Sequence, residues 1–518
     1  MAVQGKLPPM ATSFFILLAL LPSLTLGNPN ESADHVLLRT TPPAGIKSEL
    51  LHRSQFPKDF IFGVGSSAYQ VEGGASEGGK GMSIWDTWAH VPGHIQDGST
   101  GDVAVDQYHR YEEDIDLIAD MNMDSYRFSI AWTRIFPNGT GPDVNAEGVA
   151  HYSRVIDAVI KRGLKPFVTL YHWDLPQALE DSYDGWVSDQ SVVDFAAYAK
   201  ACFVAFGDRV KLWTTFNEPG QFLHGYGVSP LAPPGRTSKR STEPYIAAHH
   251  VLLAHAAAVD VYRREFQAEQ KGEIGMTVEC EWGEPLTDSQ EDIQAALRHV
   301  IFQLGWFLDP LYFGDYPAEM RELVGSRLPT FSEEQVSLIK GSLDFIGLNY
   351  YTSRWVTSGP GPSPNEEPSP TLDQHVNTLT SKDGVDIGPT AASLWLLIVP
   401  WGMHRVLKWT WERYNAPIFA TENGMDYPME LSLEESLHDT TRMEFYHNYI
   451  SSLLEAVRDG VNVRGYYSWS LTDNFEWSFG YGCRFGLIYI DYNDNLKRYP
   501  KDSARWFSQF LQPGYSDS

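Results

Sequence analysis

Cysteine and basic residues are both scarce in this chain of 518 residues, and each shortage excludes a class of protein. Only Cys202, Cys280 and Cys483 occur, so the chain can form at most one disulfide and no closed zinc site with cysteine ligands. The 39 basic residues face 66 acidic ones, which gives a net charge of -27. That charge argues against nucleic acid or an anionic membrane as a partner, and a neutral substrate fits it best.

Long apolar runs are missing after the N-terminal segment. Residues 14–26 form an apolar stretch behind Lys6, and small residues suit cleavage after Gly27, which predicts a secretory signal peptide over residues 1–27. A short hydrophobic anchor or a transit sequence is the alternative, because Pro22 interrupts the stretch. No later segment approaches the ~20 uninterrupted apolar residues of a membrane helix, so we expect no stable membrane association.

Two glycosylation sequons, at Asn30 and Asn138, are compatible with the secretory route. We therefore expect an extracellular or vacuolar glycoprotein, or a cytosolic protein if the N-terminal segment is not a functional signal. Residues 28–54 are predicted to be a polar tail, residues 55–513 one domain and residues 514–518 a C-terminal tail.

Eight short apolar runs that end in polar or aromatic residues alternate with helical patterns. They are Phe60 to Gln70, Tyr126 to Trp132, Pro166 to His172, Val210 to Asn217, Ile274 to Glu279, Leu343 to Tyr351, Pro417 to Glu422 and Val463 to Ser470. One helical pattern runs from Met443 to Val457 and is closed by Gly460. This alternation predicts an α/β fold, a single-domain (β/α)8 TIM barrel with long loops at the C-terminal face of the strands. The stretch from Ser358 to Asp386 is rich in turn-forming residues and is predicted to be a long surface loop.

Two glutamates follow buried strands, Glu218 in Thr215-Phe216-Asn217-Glu218-Pro219 and Glu422 in Thr421-Glu422-Asn423-Gly424. Such a carboxyl pair is what acid-assisted displacement at a sugar carbon requires, with a separation of ~5–5.5 Å for retention and ~6.5–9.5 Å for inversion. Ordinary loop acids are the alternative. Pro219 is expected to hold Glu218 in an extended conformation, and Asn217 offers a donor and an acceptor to a sugar hydroxyl.

Other strand ends carry further candidates. Arg127 points inward from a strand pattern and needs a carboxylate partner, either Glu422 or a purely structural acid. His172, next to Trp173, is expected to contact sugar, because no HExxH or comparable ligand spacing supports a metal site. Glu476 lies within an aromatic cluster, where a lone acid is costly without hydroxyl partners. The cluster comprises Trp469, Phe475, Trp477, Phe479, Tyr481 and Phe485.

A competing class is suggested by residues 63–68, which match the G-x-G-x-x-A dinucleotide fingerprint. That fingerprint must open a helix, whereas the glycines at positions 73–81 would break one. A nucleotide-dependent oxidoreductase is therefore disfavoured, and no metal or organic cofactor is expected.

The ordered motifs resemble glycoside hydrolase family 1, the β-glucosidase family, and its plant-type members in particular, over about residues 55 to 513. They are Phe62-Gly63 through Tyr69-Gln70, His172-Trp173-Asp174, the two glutamate segments, Asn349-Tyr350-Tyr351-Thr352, and Trp469-Ser470 through Asp473-Asn474-Phe475-Glu476-Trp477. The resemblance implies a retaining β-glycosidase, most simply a β-glucosidase acting on terminal β-D-glucosyl residues through a covalent glycosyl-enzyme. Glu218 would be the acid/base and Glu422 the nucleophile, positioned by Arg127 and Tyr351.

The resemblance also implies a substrate-binding set of Gln70, His172, Asn217, Tyr351, Trp395, Trp469, Glu476 and Trp477. Glu218 stands where thioglucosidases have glutamine, so an oxygen-linked glycoside is expected, and the Glu476-Trp477 pair favours an unphosphorylated sugar. The loop at residues 235–242 lacks the cysteine pair of many secreted relatives, and Glu281 departs from the residues common near it. A transglucosidase of the same fold and a non-catalytic sugar-binding protein are the alternatives. The oligomeric state stays open.

Overall fold

Eight parallel strands close into a barrel in the computed structural model, which describes residues 51–227 and 232–512. The strands are β1 (Ile61–Gly65), β2 (Ser125–Ser129), β3 (Lys165–Tyr171), β4 (Leu212–Asn217), β5 (Glu273–Glu279), β6 (Ile346–Asn349), β7 (Ile418–Asn423) and β8 (Val463–Trp469). Each strand pairs with its sequence neighbours, and β1 closes the ring against β8. The predicted (β/α)8 TIM barrel is therefore confirmed.

Some of the predicted strands are too long at their C-terminal ends. β1 ends at Gly65, and Gln70 lies in a short helix, Ala68–Val71, rather than on the strand. The Ala68 N–H donates to Ser129 Oγ at 2.7 Å, which turns the chain out of the sheet. The residues of this helix are as fully buried as those of the strand. A short apolar run indicates burial but does not distinguish a strand from a helix, so the end of β1 could not be predicted from the sequence.

Aromatic residues fill the N-terminal half of the barrel interior. Phe167 packs edge-on against Phe345 and Phe419, with ring centroids 5.7 Å away in both cases. The buried plug consists of Ile61, Phe167, Leu212, Phe345, Phe419 and Tyr467. Because this plug closes one end, the polar side chains of the strands meet at the C-terminal end.

Helices surround the barrel. The longer ones are Gln107–Asp120, Ala146–Lys161, Gln190–Phe206, Glu243–Glu265, Gln290–Val300, Trp306–Phe313, Trp401–Tyr414, Thr440–Arg458 and Asp502–Phe510. The predicted helix around Met443 to Val457 is the one at Thr440–Arg458. It buries Tyr446, Ile450 and Leu453 against the barrel, and Gly460 follows it with a φ of 93°, as expected of a glycine that ends a helix.

The segment from Ser358 to Asp386 is not the plain loop that its composition predicted. It contains a helix, Pro370–Asp373, and a strand, Val376–Leu379, that joins Trp282–Pro285 and Ser353–Ser358 in a separate three-stranded sheet. The added strand is partly exposed and only four residues long, too short for its pattern to stand out from turn-forming neighbours.

Several predictions lie outside the described residues: the signal segment, Asn30, most of the polar tail and the C-terminal tail. Asn138 is described and exposed, in a turn. All three cysteines are buried and free, so no disulfide links them. Between residues 51 and 512, where the chain is described, no helix combines the length and apolarity needed to cross a bilayer.

Candidate active site

A chain of buried hydrogen bonds joins the two predicted glutamates at the C-terminal end of the barrel. Arg127 Nη1 donates to Glu422 Oε1 at 2.6 Å, and Arg127 Nη2 donates to Asn217 Oδ1 at 2.6 Å. Asn349 Nδ2 donates to the same Asn217 oxygen at 3.1 Å and to Glu218 Oε1 at 2.8 Å. Strands β2, β6 and β7 thus each bring one residue to a single site, and β4 with the turn after it brings two, which spacing along the sequence could not establish.

Both oxygens of Glu422 are held. Oε1 faces Arg127, and Tyr351 donates its hydroxyl hydrogen to Oε2 at 2.8 Å. Of the two partners considered for Arg127, the structure confirms Glu422, and the side chains of this pair are 1% and 4% exposed. A buried charge pair of this kind, with a hydrogen bond on each carboxyl oxygen, fixes the orientation of the Glu422 side chain.

Glu218 is held differently, and its backbone contradicts the prediction from Pro219. Its φ of 47° and ψ of 65° are left-handed rather than extended. Pro219 starts a short helix, Pro219–Phe222, and the Glu218 N–H donates to Thr277 O at 2.9 Å, so the chain must turn sharply between strand and helix. Such strained residues cluster at functional sites, where the surrounding structure holds them in place.

The electrostatic setting of Glu218 favours its protonated form. Burial, followed by the carboxyls of Glu422 and Glu279, raises its pKa well above the usual glutamate range. The hydrogen bond from Asn349 and the charge of Arg127 oppose this rise without cancelling it. The site therefore combines one carboxyl that is paired with a cation and one that retains a proton, which is the division of labour of a general acid beside an anion.

A second cluster lies where β1 and β8 end. Gln70 Nε2 donates to Asn474 Oδ1 and to the Phe475 carbonyl, both at 3.0 Å, and reaches Glu476 Oε2 at 3.4 Å. Burial raises the pKa of Glu476 to about 8, with further contributions from Asp426 and Glu422. These predicted residues thus form a connected set of donors and acceptors.

His172 and Asn217 lie between the two clusters. Asn217 Nδ2 donates to His172 Nε2 at 3.2 Å, while Asn217 Oδ1 already accepts two hydrogen bonds. Asn217 can therefore offer sugar a donor but not the acceptor predicted for it. Burial and the nearby Arg127 hold the pKa of His172 well below its usual value, so the imidazole is neutral.

Aromatic rings cover the remaining walls. The ring of His172 is nearly parallel to those of Trp469 and Trp477, with centroids 5.7 and 6.0 Å away. Trp395 is half-buried and packs edge-on to Tyr351 at 5.9 Å. Phe475 is fully buried, so its role is packing. The predicted aromatic cluster thus contains both site walls and core.

The loop that carries Glu476 is anchored by Asp473. This buried carboxylate accepts hydrogen bonds from Arg484 Nη1 at 2.5 Å, Lys501 Nζ at 2.7 Å and the Gly486 N–H at 3.1 Å. Although burial raises the pKa of Asp473, the charges of Lys501 and Arg484 bring it below its usual value. Residues close to the C-terminus therefore fix one wall of the site.

Two site residues were missed from the sequence. Asn349 was noted only as part of a motif, although it ends a barrel strand just as Asn217 does. Glu279 also ends a strand, β5, and its carboxyl raises the pKa of Glu218. The same signal, a polar residue at the end of a barrel strand, could have identified both.

The dinucleotide-like motif is explained by packing. A Cβ at Gly63 would lie 2.3 Å from the Tyr467 ring and 2.8 Å from the Ser125 carbonyl oxygen. The glycine is therefore needed for close contact between neighbouring strands. The helix that follows spans only four residues, Ala68–Val71.

A barrel that places a carboxyl paired with an arginine at the same site as a carboxyl that keeps its proton, with aromatic rings around them, defines an enzyme that cleaves glycosidic bonds. Residues 52–514 match the family model described as "Glycosyl hydrolase family 1", and the chain belongs to that family.

Its curated relatives include two plant proteins. "Beta-glucosidase 4" of Oryza sativa subsp. japonica is 51% identical over 468 residues, covering 89% of this chain and 95% of the relative. "Beta-glucosidase 40" of Arabidopsis thaliana is 51% identical over 480 residues, covering 89% and 93%. Among solved structures, a mutant of the rice Os3BGlu6 β-glucosidase in a covalent complex with Glc matches with a TM-score of 0.88 and 49% identity, over 89% of this chain and 100% of that one. The chain is accordingly an O-glycosyl hydrolase, a retaining β-glucosidase.

Proposed function

We propose that Glu422 is the nucleophile and Glu218 the acid/base group of this β-glucosidase. The observation that carries the assignment is the contrast between the two carboxyls. Glu422 has a cation on one oxygen and a phenol on the other, which stabilises the attacking anion. Glu218 has no cation bound to it among the described residues and keeps its proton.

The reaction then proceeds by double displacement. Glu422 attacks the anomeric carbon, and Glu218 donates its proton to the glycosidic oxygen as the bond to the leaving group breaks. The ester so formed removes the negative charge of Glu422, which lowers the pKa of Glu218. Glu218 can then accept a proton from water, which attacks the anomeric carbon and releases glucose with its original configuration.

The substrate-binding set supports a terminal, unphosphorylated glucosyl group. Glu476 and Gln70 are linked acceptors and donors of the kind that hydroxyls need, and we assign them to these hydroxyls together with His172, Asn217 and Trp477. Trp469 supplies an apolar face for the ring. Trp395, half-buried beside Tyr351, lines the leaving-group side.

The assignment of the nucleophile is tested by trapping the ester. A 2-deoxy-2-fluoro-β-glucoside with a dinitrophenolate leaving group should inactivate the enzyme. The fluorine slows both formation and hydrolysis of the glycosyl-enzyme, whereas the good leaving group keeps its formation fast, so the ester accumulates. Peptide mass spectrometry should then find the fluoroglucosyl group on Glu422. Labelling of the peptide that contains Glu218 instead would reverse the two roles, and glucose should protect against inactivation as the control.

We also propose that the enzyme enters the secretory pathway through residues 1–27 and carries a glycan on Asn138. The exposure of Asn138 in a turn supports this, because an acceptor asparagine must be accessible. Expression in a plant or yeast secretory system should give a mature N-terminus at Asn28 and a mobility shift with endoglycosidase. Asn138→Gln should remove its part of that shift, whereas an intact Met1 and an unshifted band would place the enzyme in the cytosol.

A further inference from the structure

Glu279 is a third carboxyl at the reaction centre, and the double displacement assigns it no task. It ends β5, which lies between β4 and β6 in the barrel, and pairs in register with Asn349. Asn349 is the residue whose amide binds Glu218. Glu279 follows Thr277, the residue whose carbonyl accepts the Glu218 N–H, by two positions, and so shares its face of the strand.

The Glu279 carboxyl is pressed against the turn that carries Glu218. A Cβ at Gly220, two residues after Glu218, would lie 2.1 Å from Glu279 Oε1. The backbone at this position therefore has to be glycine for the carboxyl to reach it. Two features thus allow the close approach: Glu279 ends β5 next to the turn, and Gly220 in the turn has no side chain to block the carboxyl.

The carboxyl of Glu279 has no cation to compensate its charge among the described residues. Its Oε2 is buried and has no hydrogen-bond partner among the described residues, and it forms no ion pair with any of them. Arg127 pairs with Glu422, and Arg354 pairs with Glu281, the acid two residues after Glu279. An unpaired buried carboxylate is costly, so Glu279 favours its neutral form.

The charged and titratable groups around Glu279 come from four elements. The turn after β4 contributes Glu218, β7 contributes Glu422, and the strand's own continuation contributes Cys280 and Glu281; β6 contributes only the neutral amide of Asn349. Burial, with a further contribution from Glu422, raises the pKa of Glu279 to about 8, although backbone hydrogen bonds at Glu279 and Gln221 act in the opposite direction. Two of these carboxyls, Glu218 and Glu279, therefore hold protons near neutral pH.

We propose that Glu279 is a positioning residue for the acid step: it titrates together with Glu218, and its charge keeps the proton on Glu218 as the solution becomes alkaline. The inference rests on the proposed role of Glu218. The sign follows from repulsion. Once Glu279 loses its proton, a second anion faces Glu218, so that ionisation of Glu218 is postponed to higher pH. The active form of the acid thereby persists over a wider range.

The test is the pH profile of kcat/KM for phenyl β-D-glucoside, whose leaving group needs protonation. Glu279→Gln, which removes the charge at nearly constant size, should move the alkaline limb to lower pH by about one unit. The acid limb should stay in place, and Glu279→Asp should restore part of the shift. Glu273→Gln, at the opposite end of the same strand, is the matched control and should leave the whole profile unchanged.

A lower rate with an unmoved alkaline limb in Glu279→Gln would show that Glu279 only supports the fold and would overturn the inference. If that variant does not fold, carboxyl NMR of 13C-glutamate-labelled wild-type enzyme decides: the resonance lost in Glu279→Asp should titrate above pH 7, and an ordinary midpoint near 4 would overturn it. Glu218→Gln separates the two proposals. If its alkaline limb persists, Glu218 is not the acid, and the fault lies with the proposed mechanism.

Discussion

Glu422→Ala should reduce kcat for phenyl β-D-glucoside by at least about 10⁴-fold, because removal of a nucleophile leaves no route to the covalent intermediate. The loss also leaves Arg127 buried without its carboxylate, since the two side chains are almost fully enclosed. Breaking such a pair costs about 3 to 5 kcal/mol of folding stability. The activity must therefore be compared at a temperature where circular dichroism shows the variant to be folded.

A small external nucleophile separates loss of chemistry from loss of structure. Azide should enter the space left by the side chain and attack from the face that Glu422 occupied, giving glucosyl azide with inverted configuration from an activated aryl glucoside. Glu422→Gln fills the space and should be inactive without responding to azide. Turnover within tenfold of wild type in either variant would refute the assignment of the nucleophile.

Glu218→Gln should slow hydrolysis according to the leaving group. For phenyl β-D-glucoside, whose phenolate leaves poorly, the first step should lose about 10²- to 10⁴-fold, the usual contribution of general acid catalysis. For a dinitrophenyl glucoside, which needs no proton, that step should be nearly unchanged. The glycosyl-enzyme should then accumulate, because the base for the second step is also missing, and a burst of dinitrophenolate should report it.

The same variant should also lose the alkaline limb of the profile for the first step, since the group that titrates there is gone. Asn349→Ala serves as the comparison: it removes one hydrogen bond from Glu218 but keeps the carboxyl, so the limb should move without vanishing. Equal losses with the phenyl and dinitrophenyl substrates in Glu218→Gln would contradict the acid role.

The barrel and the two main partners of Glu422 could be predicted from the sequence, the barrel from its apolar pattern and the partners from charge pairing and the family resemblance. Parallel strands covered by helices on the outside read as short apolar runs, so all eight could be located. A buried arginine must have an acid nearby, and Arg127 had Glu422 as an available partner. The resemblance to glycoside hydrolase family 1 pointed to Tyr351, and its hydroxyl does bind Glu422.

The contacts that could not be predicted depend on which strands become neighbours when the barrel closes. Glu218 and Glu279 meet because β4 and β5 are neighbours and because Gly220 leaves room, and neither fact is visible in a local pattern. The left-handed turn at Glu218 follows from the helix that Pro219 begins and overrides the usual preference before proline. Gln70 was placed on a strand because burial, not periodicity, dominates its surroundings.

The anchoring of Asp473 makes the site depend on a segment that lies about 80 residues after Glu422 in the sequence. Lys501 and the hairpin formed by Ile488–Asp491 and Lys497–Pro500 hold the loop that presents Glu476 and Trp477. A chain cut before Lys501 would keep Glu218, Glu422 and the Arg484 contact to Asp473, yet it would lose the lysine that binds Asp473 and so weaken one wall of the site. For engineering, this hairpin is therefore the wrong place to cut, permute or shorten the scaffold.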